Sequence, residues 1–235
     1  MSSLPFKETV SLMMQNKAYA LFCVLGTAFT FVFIIIVLQL AYTLTGNVPP
    51  FVNADRTIVF RQFDDKYGND AGGIEPEEMF SFLKQIKDKD EYYIYYPVMD
   101  QISANGKYKH VAFSFVNGGF WKVNRFDLLD GRLFTEKDCE DGNKVIVVTE
   151  KVAREFFNDV CVVGKKMEVQ GDMYTIVGVV ADYSTLTQQG VEMWLPYPFN
   201  KFVPDQTGCY RIGVLVAGSV DEMKKQLAQR ITEYM

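Results

Sequence analysis

Few residues in this 235-residue chain have the type and spacing that chemistry needs. A nucleophile relay requires a base beside a Ser or Cys and a third group that orients the base. The chain has one histidine, His110. It falls in the alternating run Lys107–Val116 and reads as a strand surface residue, so no Ser/His/Asp or Cys/His set can be assembled. The cysteines are Cys23, Cys139, Cys161 and Cys209. Cys23 lies in an apolar run. The other three are odd in number and lack C-x-x-C spacing, which indicates neither a zinc site nor a disulfide framework. A single bridge in an oxidising compartment stays open. Asp64-Asp65 and Glu140-Asp141 read as solvated loop carboxylates. Val163-Gly164-Lys165-Lys166 is the nearest approach to a phosphate loop, but it lacks the upstream glycine and the hydroxyl that holds Mg²⁺. It reads as a turn entering a strand. No catalytic residue, metal or cofactor is expected. A net charge of −5 without a basic patch argues against nucleic acid.

The element with the strongest signature is apolar. No Asp, Glu, Lys or Arg occurs between Lys17 and Asp55, and residues 18–44 form one continuous hydrophobic stretch. A helix needs roughly 20 apolar residues to cross a bilayer core. Each Leu, Ile, Val or Phe favours insertion by about 0.3–0.6 kcal/mol, so the run inserts with several kcal/mol in its favour. It exceeds the roughly 7–15 residues of a signal h-region and has no A-x-A site after it, which marks a retained anchor. Lys7, Lys17 and the terminal amine precede it, while residues 43–54 carry no positive charge. The positive-inside rule then places residues 1–17 in the cytoplasm and the rest outside. Ala20, Cys23, Thr27 and Thr30, with Gly26 beside them, form a small-residue stripe. Such a stripe lets a second helix approach closely, although small residues are also common in any span.

Phe6, Val10, Met13 and Lys17 recur at helical spacing, which suits a short amphipathic helix on the membrane surface; a frayed tail is the alternative. Beyond the span, Arg56–Phe63 reads as a strand and residues 64–73 as a polar loop. Pro76, among Glu75, Glu77 and Glu78, opens a helix that ends near Lys87, with Met79, Leu83 and Ile86 as its apolar stripe. Tyr92–Tyr96 reads as a strand closed by Pro97. At the far end, Tyr210–Val216 is a strand, and Ser219-Val220-Asp221-Glu222 caps a helix that buries Met223, Leu227 and Ile231. Between these ends lie a strand at Lys107–Val116, a turn at Asn117-Gly118-Gly119 and a short aromatic element from Phe120. A turn at Leu129–Arg132, a strand at Lys144–Val148, a short helix through Phe157 and a hairpin around Gln170-Gly171-Asp172 follow. Phe120, Trp121 and Trp194 have two readings: exposed at loops they would anchor an interface, and packed inside they would be core.

The middle resembles the periplasmic core domain of MacB-type ABC transporter permeases, the family related to FtsX and to lipoprotein-release permeases. Phe120-Trp121-Lys122-Val123 and Leu129-Asp130-Gly131-Arg132-Leu133-Phe134-Thr135 carry the likeness first. Val145–Val148, Ala153–Phe157, Val163-Gly164-Lys165 and Tyr174–Asp182 continue it in order over about 60 residues. The resemblance implies an α+β fold: an N-terminal transmembrane helix, then residues 45–235 as a MacB-like core domain. Its porter-like parts would be about 55–100 and 199–235, with a β-rich subdomain inserted at about 101–198. It further implies a permease whose partners are a separate ABC ATPase subunit, a second permease subunit and membrane lipid, with a periplasmic partner outside. Family permeases continue into three more transmembrane helices, so these 235 residues are expected to correspond to the first part of one. A stand-alone single-pass binding or sensing protein that borrowed the domain is the alternative.

Overall fold

The computed structural model describes residues 16–60, 83, 86, 89–183, 190–198 and 211–234. The chain divides into two compact units, Met1–Gly46 and Asn47–Met235. The first contains α1 (Lys17–Thr45). The amphipathic segment expected before it lies outside the described residues apart from Asn16 and Lys17. Within α1, Ala20–Thr43 is long and apolar enough to cross a membrane. At about 1.5 Å per residue it is ~36 Å long, more than the ~30 Å hydrocarbon core, so it is long enough to span with some tilt. Leu21, Phe22, Leu25, Phe29, Ile35 and Leu38 point outward on all sides, which is the pattern of a helix solvated by lipid.

The second unit begins with a 3₁₀ turn (Ala54–Arg56). The strands are β1 (Thr57–Phe60), β2 (Lys89–Ala104), β3 (Lys107–Val116), β4 (Leu128–Gly131), β5 (Val145–Thr149), β6 (Lys166–Val169), β7 (Asp172–Val180), β8 (Met193–Pro196) and β9 (Arg211–Val216). The helices are α2 (Gly119–Val123), α3 (Glu136–Glu140), α4 (Glu150–Phe157) and α5 (Val220–Tyr234). Strand order is β1-β9-β2-β3-β8-β5-β7-β4, and β6 pairs with both β2 and β7. These pairings close on themselves: β2, β3, β8, β5, β7 and β6 form a ring that returns to β2 through Ile102↔Val169. The first half of β2 lies outside the ring, against β9 and through it β1.

The period-2 alternation of strands sorts the apolar residues into separate cores. Phe113 and Phe115 of β3, Ile146 and Val148 of β5, and Met193 and Leu195 of β8 face one core, with Val152, Ala153 and Phe156 of α4. Their neighbours Val116, Val147 and Trp194 face the opposite core, with Phe120, Val123, Phe134 and Cys139. A third core places Met223 and Leu227 of α5, with Leu83 and Ile86, on Ile212, Val214 and Val216 of β9. Leu83 is helical and Ile86 buried; the rest of the expected helix at 75–87 and the loop at 64–73 lie outside the described residues.

Two hairpins use tight turns that need positive φ. Asn105-Gly106 (φ +51°, +72°) joins β2 to β3, and Gln170-Gly171 (φ +53°, +81°) joins β6 to β7. Two expectations are corrected. Pro97 does not end its strand, because β2 continues to Ala104. The Ile94 N–H points toward the β3 side, where Asn117 Oδ1 accepts it at 2.9 Å. Alternation aims the Pro97 nitrogen the other way, beyond the end of the β9 ladder at Tyr95 and before the β6 ladder at Ile102. There a missing N–H breaks no ladder bond. Leu128–Gly131 is a strand rather than a turn, paired with β7 through a register shift. Met193–Pro196, unassigned from its Pro-rich surroundings, is the central strand β8.

The Asn117-Gly118-Gly119 turn is a tight fit. A Cβ on Gly119 would stand 2.0 Å from the Tyr92 carbonyl oxygen. Both groups belong to ordered backbone, so Gly119→Ala is expected to destabilise the unit by about 1–3 kcal/mol. A urea titration that leaves the midpoint unchanged would refute this.

Candidate functional site: helix face, aromatic core and Gly-Arg lock

His110 is exposed on β3, opposite Gln101. Among the described residues no group of three His, Cys, Asp or Glu converges to hold a metal. Cys23, Cys139 and Cys161 are free thiols; burial pushes the Cys139 thiol up to about 12. Cys209 lies outside the described residues. Three physical features remain.

The first is the face of α1. With about 100° per residue, Ala20, Cys23, Thr27 and Thr30 fall within ~80° of arc, with Gly26 ~40° beyond it. The threonine hydroxyls need nothing from outside. Thr27 donates to the Cys23 and Val24 carbonyls at 3.0 Å each, and Thr30 to the Gly26 carbonyl at 2.8 Å. Such back-bonding lets Thr sit in hydrocarbon without an orphan donor. A Cβ on Gly26 would meet nothing within 4 Å among the described residues.

The second feature is aromatic. Phe120 and Trp194 are fully buried and Trp121 is half-buried. The contact-surface reading therefore fails for Phe120 and Trp194, which are core: β8 is buried on both faces between β3 and β5, and Trp194 is on its aromatic side. Trp194 lies 4.9 Å from Phe126, 5.6 Å from Trp121, 6.1 Å from Tyr183 and 6.4 Å from Phe120, centroid to centroid. Burial pushes the Tyr95 and Tyr183 phenols up, well above their ordinary range, and Tyr183 donates to the Val191 carbonyl. Onto this cluster the first residues of the unit are fastened. Phe51 packs edge-on against Phe126 (6.2 Å) and Tyr183 (5.9 Å). The Arg125 N–H donates to the Pro50 carbonyl at 2.7 Å, and Asn53 Nδ2 donates to the Val123 carbonyl at 2.7 Å. Arg56 then reaches Asp90 and the Val216 carbonyl, tying the 3₁₀ turn to β2 and β9.

The third feature explains the Gly-Arg pair. Gly131 has φ +74°, and a Cβ there would stand 2.2 Å from the Val177 carbonyl oxygen; one on Gly178 would meet the Arg132 carbonyl oxygen at 2.3 Å. Two glycines thus let β4 and β7 approach, and the Arg132 N–H donates to Val177 O at 2.8 Å. The Arg132 guanidinium forks onto Asp138 at 2.8 and 3.0 Å. Asp138 is buried, accepts from the Thr135 N–H and hydroxyl as the third residue of a capping box, and accepts from Asn143 Nδ2. The Arg132 pair, then the Thr135 and Asn143 hydrogen bonds, hold the Asp138 carboxyl well below the usual carboxylate range against the opposing effect of burial. Thr135-x-x-Asp138 has capping-box spacing, so the sequence carried a signal for this partner that went unread. Nearby, burial pushes the Glu136 carboxyl up; it accepts the Gly118 N–H at 2.7 Å.

With this geometry in place, likeness to known proteins is specific. The MacB-like periplasmic core domain family matches residues 20–234. The ABC transporter permease YknZ of Bacillus subtilis is 27% identical over 122 residues, half of this chain and 30% of its own length. The macrolide export ATP-binding/permease protein MacB of Aggregatibacter actinomycetemcomitans is 26% identical over 117 residues, 49% of this chain and 18% of its own. The matched segments thus span less than a third of these relatives. Among solved structures, the periplasmic region of MacB from Actinobacillus actinomycetemcomitans superposes with a TM-score of 0.63 at 17% identity, covering 76% of this chain and 83% of that one. The extracellular domain of the noncanonic ABC-type transporter YknZ superposes with 0.56 at 22% identity, covering 72% and 87%. At these identities the superpositions establish the α+β fold. With an apolar anchor helix at the start of the match, this is a membrane-anchored chain with an extracytoplasmic domain, and it belongs to the family of MacB-like periplasmic core domains of ABC transporter permeases.

Proposed function

We propose that this chain is a permease component of an ABC-type transporter or mechanotransmission complex. It couples ATP hydrolysis by a separate cytoplasmic ATPase to movement of the extracytoplasmic unit. The observation that carries the reading is the family match, which runs from residue 20 inside α1 to residue 234 at the end of α5. One polypeptide joins a lipid-solvated helix to a folded external unit, which is the connection that transmission of force requires. Residues 1–17 lie in the cytoplasm of a bacterial inner membrane, consistent with Lys7 and Lys17 before the helix. Ala20, Cys23, Gly26, Thr27 and Thr30 dock a neighbouring transmembrane helix, in this or a second permease subunit. Outside, about 55–100 and 199–235 act as the porter-like part and about 101–198 as the insertion. Strand β2 runs through residue 100 and is common to both.

Copurification tests this. The natural full-length protein, tagged and solubilised from its own membrane, is expected to bring down a P-loop ATPase subunit. Recovery of the protein without any ATPase would overturn the reading in favour of a stand-alone anchored binding or sensing protein.

A further inference from the structure

We infer that residues 50–53 form a detachable clasp over the two tryptophans. Docked, the segment completes the aromatic core; released, it opens that core to water while the strand ring stays folded.

Three observations carry this. Among the described residues, separable contacts join the segment to the core: the Phe51 ring against Phe126 and Tyr183, the buried Pro50, and two hydrogen bonds, Arg125 N–H to Pro50 O and Asn53 Nδ2 to Val123 O. The Asn53 carbonyl also accepts from the Arg56 N–H and the Thr57 hydroxyl, which stay with it at the hinge end. It belongs to no strand or helix, so its departure breaks no ladder. Phe51, Phe126 and Tyr183 are all half-buried, while Trp194 beneath them is fully buried. Phe51 thus rests on Phe126 and Tyr183, the two rings that cover Trp194.

The third observation is polar. The indole N–H groups of Trp121 and Trp194 are both buried, without an acceptor among the described residues. A buried unpaired donor retains its desolvation penalty. Two of them in one cluster make the docked state the less satisfied one at this spot, and water admitted by release would satisfy them. The same core therefore contains a reason to close, in its apolar rings, and a reason to open. That is the requirement for a two-state element. The clasp follows α1 in the chain after one residue, Gly46, and the short stretch 47–49. If the chain transmits force as proposed above, the clasp is the first extracytoplasmic element that a displacement of the helix would load. The clasp itself does not depend on that reading.

The chain has two tryptophans, both in this cluster, so intrinsic fluorescence reports on it alone. The experiment uses the full chain in detergent micelles. Phe51→Ala is expected to shift tryptophan emission to the red and to raise acrylamide quenching about two-fold, with an unchanged far-UV circular dichroism spectrum. Hydrogen exchange at the Arg125 amide is expected to accelerate about tenfold, with Val148 in β5 unaffected. Quenching and Arg125 exchange that match the unmodified chain overturn the clasp. So does loss of Val148 protection in step with Arg125, since the core would then open as one body. Should Phe51→Ala fail to fold, Asn53→Ala, which removes one hydrogen bond, decides by the same readouts. No ATPase is needed, so failure here and failure of the permease reading are distinguishable.

Discussion

Trp194→Ala is expected to lower the unfolding free energy of the extracytoplasmic unit by about 3–5 kcal/mol. The indole is fully buried on the central strand β8, where Trp194 stands level with Ser114 of β3 and Val147 of β5. Truncation removes a ring that contacts Phe120, Trp121, Phe126 and Tyr183 at once. Phe120 and Trp121 are held by the backbone of α2, while Phe126 and Tyr183 lie on irregular segments, so the void closes only in part. For a unit of this size the melting temperature should fall by roughly 10 °C. Thermal unfolding of the full chain, followed by circular dichroism in the β-sheet region, measures it. Tyr108→Ala is the control: that ring is 70% exposed on β3, and its removal should change stability by no more than about 0.5 kcal/mol. Equal effects from the two substitutions would mean that the aromatic cluster is not a core.

Asp138→Ala is the second large effect, on the order of 3 kcal/mol. One carboxylate serves the Arg132 fork, the Thr135 cap and Asn143 together. Its removal leaves the Thr135 N–H and the Asn143 amide without their acceptor. Arg132 is half-exposed and can turn to water, which keeps the cost below that of a fully buried pair. The pH dependence has a definite sign. The folded-state pKa of Asp138 is depressed below the unfolded value of about 3.9. Its contribution is therefore complete above that value and is lost as pH falls toward the folded pKa. Below pH ~4 the unmodified chain should lose stability faster than Asp138→Asn. Parallel stability curves for the two between pH 5 and 2 would remove Asp138 from the account.

The parts of the fold legible in the sequence are those where local pattern and tertiary context agree. The span is apolar whatever surrounds it. Lys107–Val116 alternates because both faces of β3 are sorted between two cores, and Ser219 caps α5 with its hydroxyl toward Glu222. Misreadings arose where non-local pairing overrides the local signal. Pro97 looks like a terminator until β9 is known to end before it and β6 to begin after it. Leu129-Asp130-Gly131-Arg132 looks like a turn until Gly178, nearly fifty residues on, is seen to admit its backbone. Met193–Pro196 has too few residues and too much proline to declare itself, yet β3 and β5 make it central. Phe120 and Trp194 could be recognised as important from residue type, but only the closure of the sheet shows that they face inward. The small-residue face of α1 follows from spacing alone, because a helix fixes which residues share a side.

The pairing of β1 with β9 has a consequence for biogenesis. Thr57 lies opposite Leu215, so the first strand of the unit is matched to one synthesised about 160 residues later. At roughly 5–20 residues per second, β1 emerges some 10–30 s before its neighbour exists. The ring strands between them can pair earlier, since β2, β3 and the β6–β7 hairpin follow one another closely. Maturation therefore runs from the middle outward, and the first strand after the apolar helix in the chain waits longest for its partner.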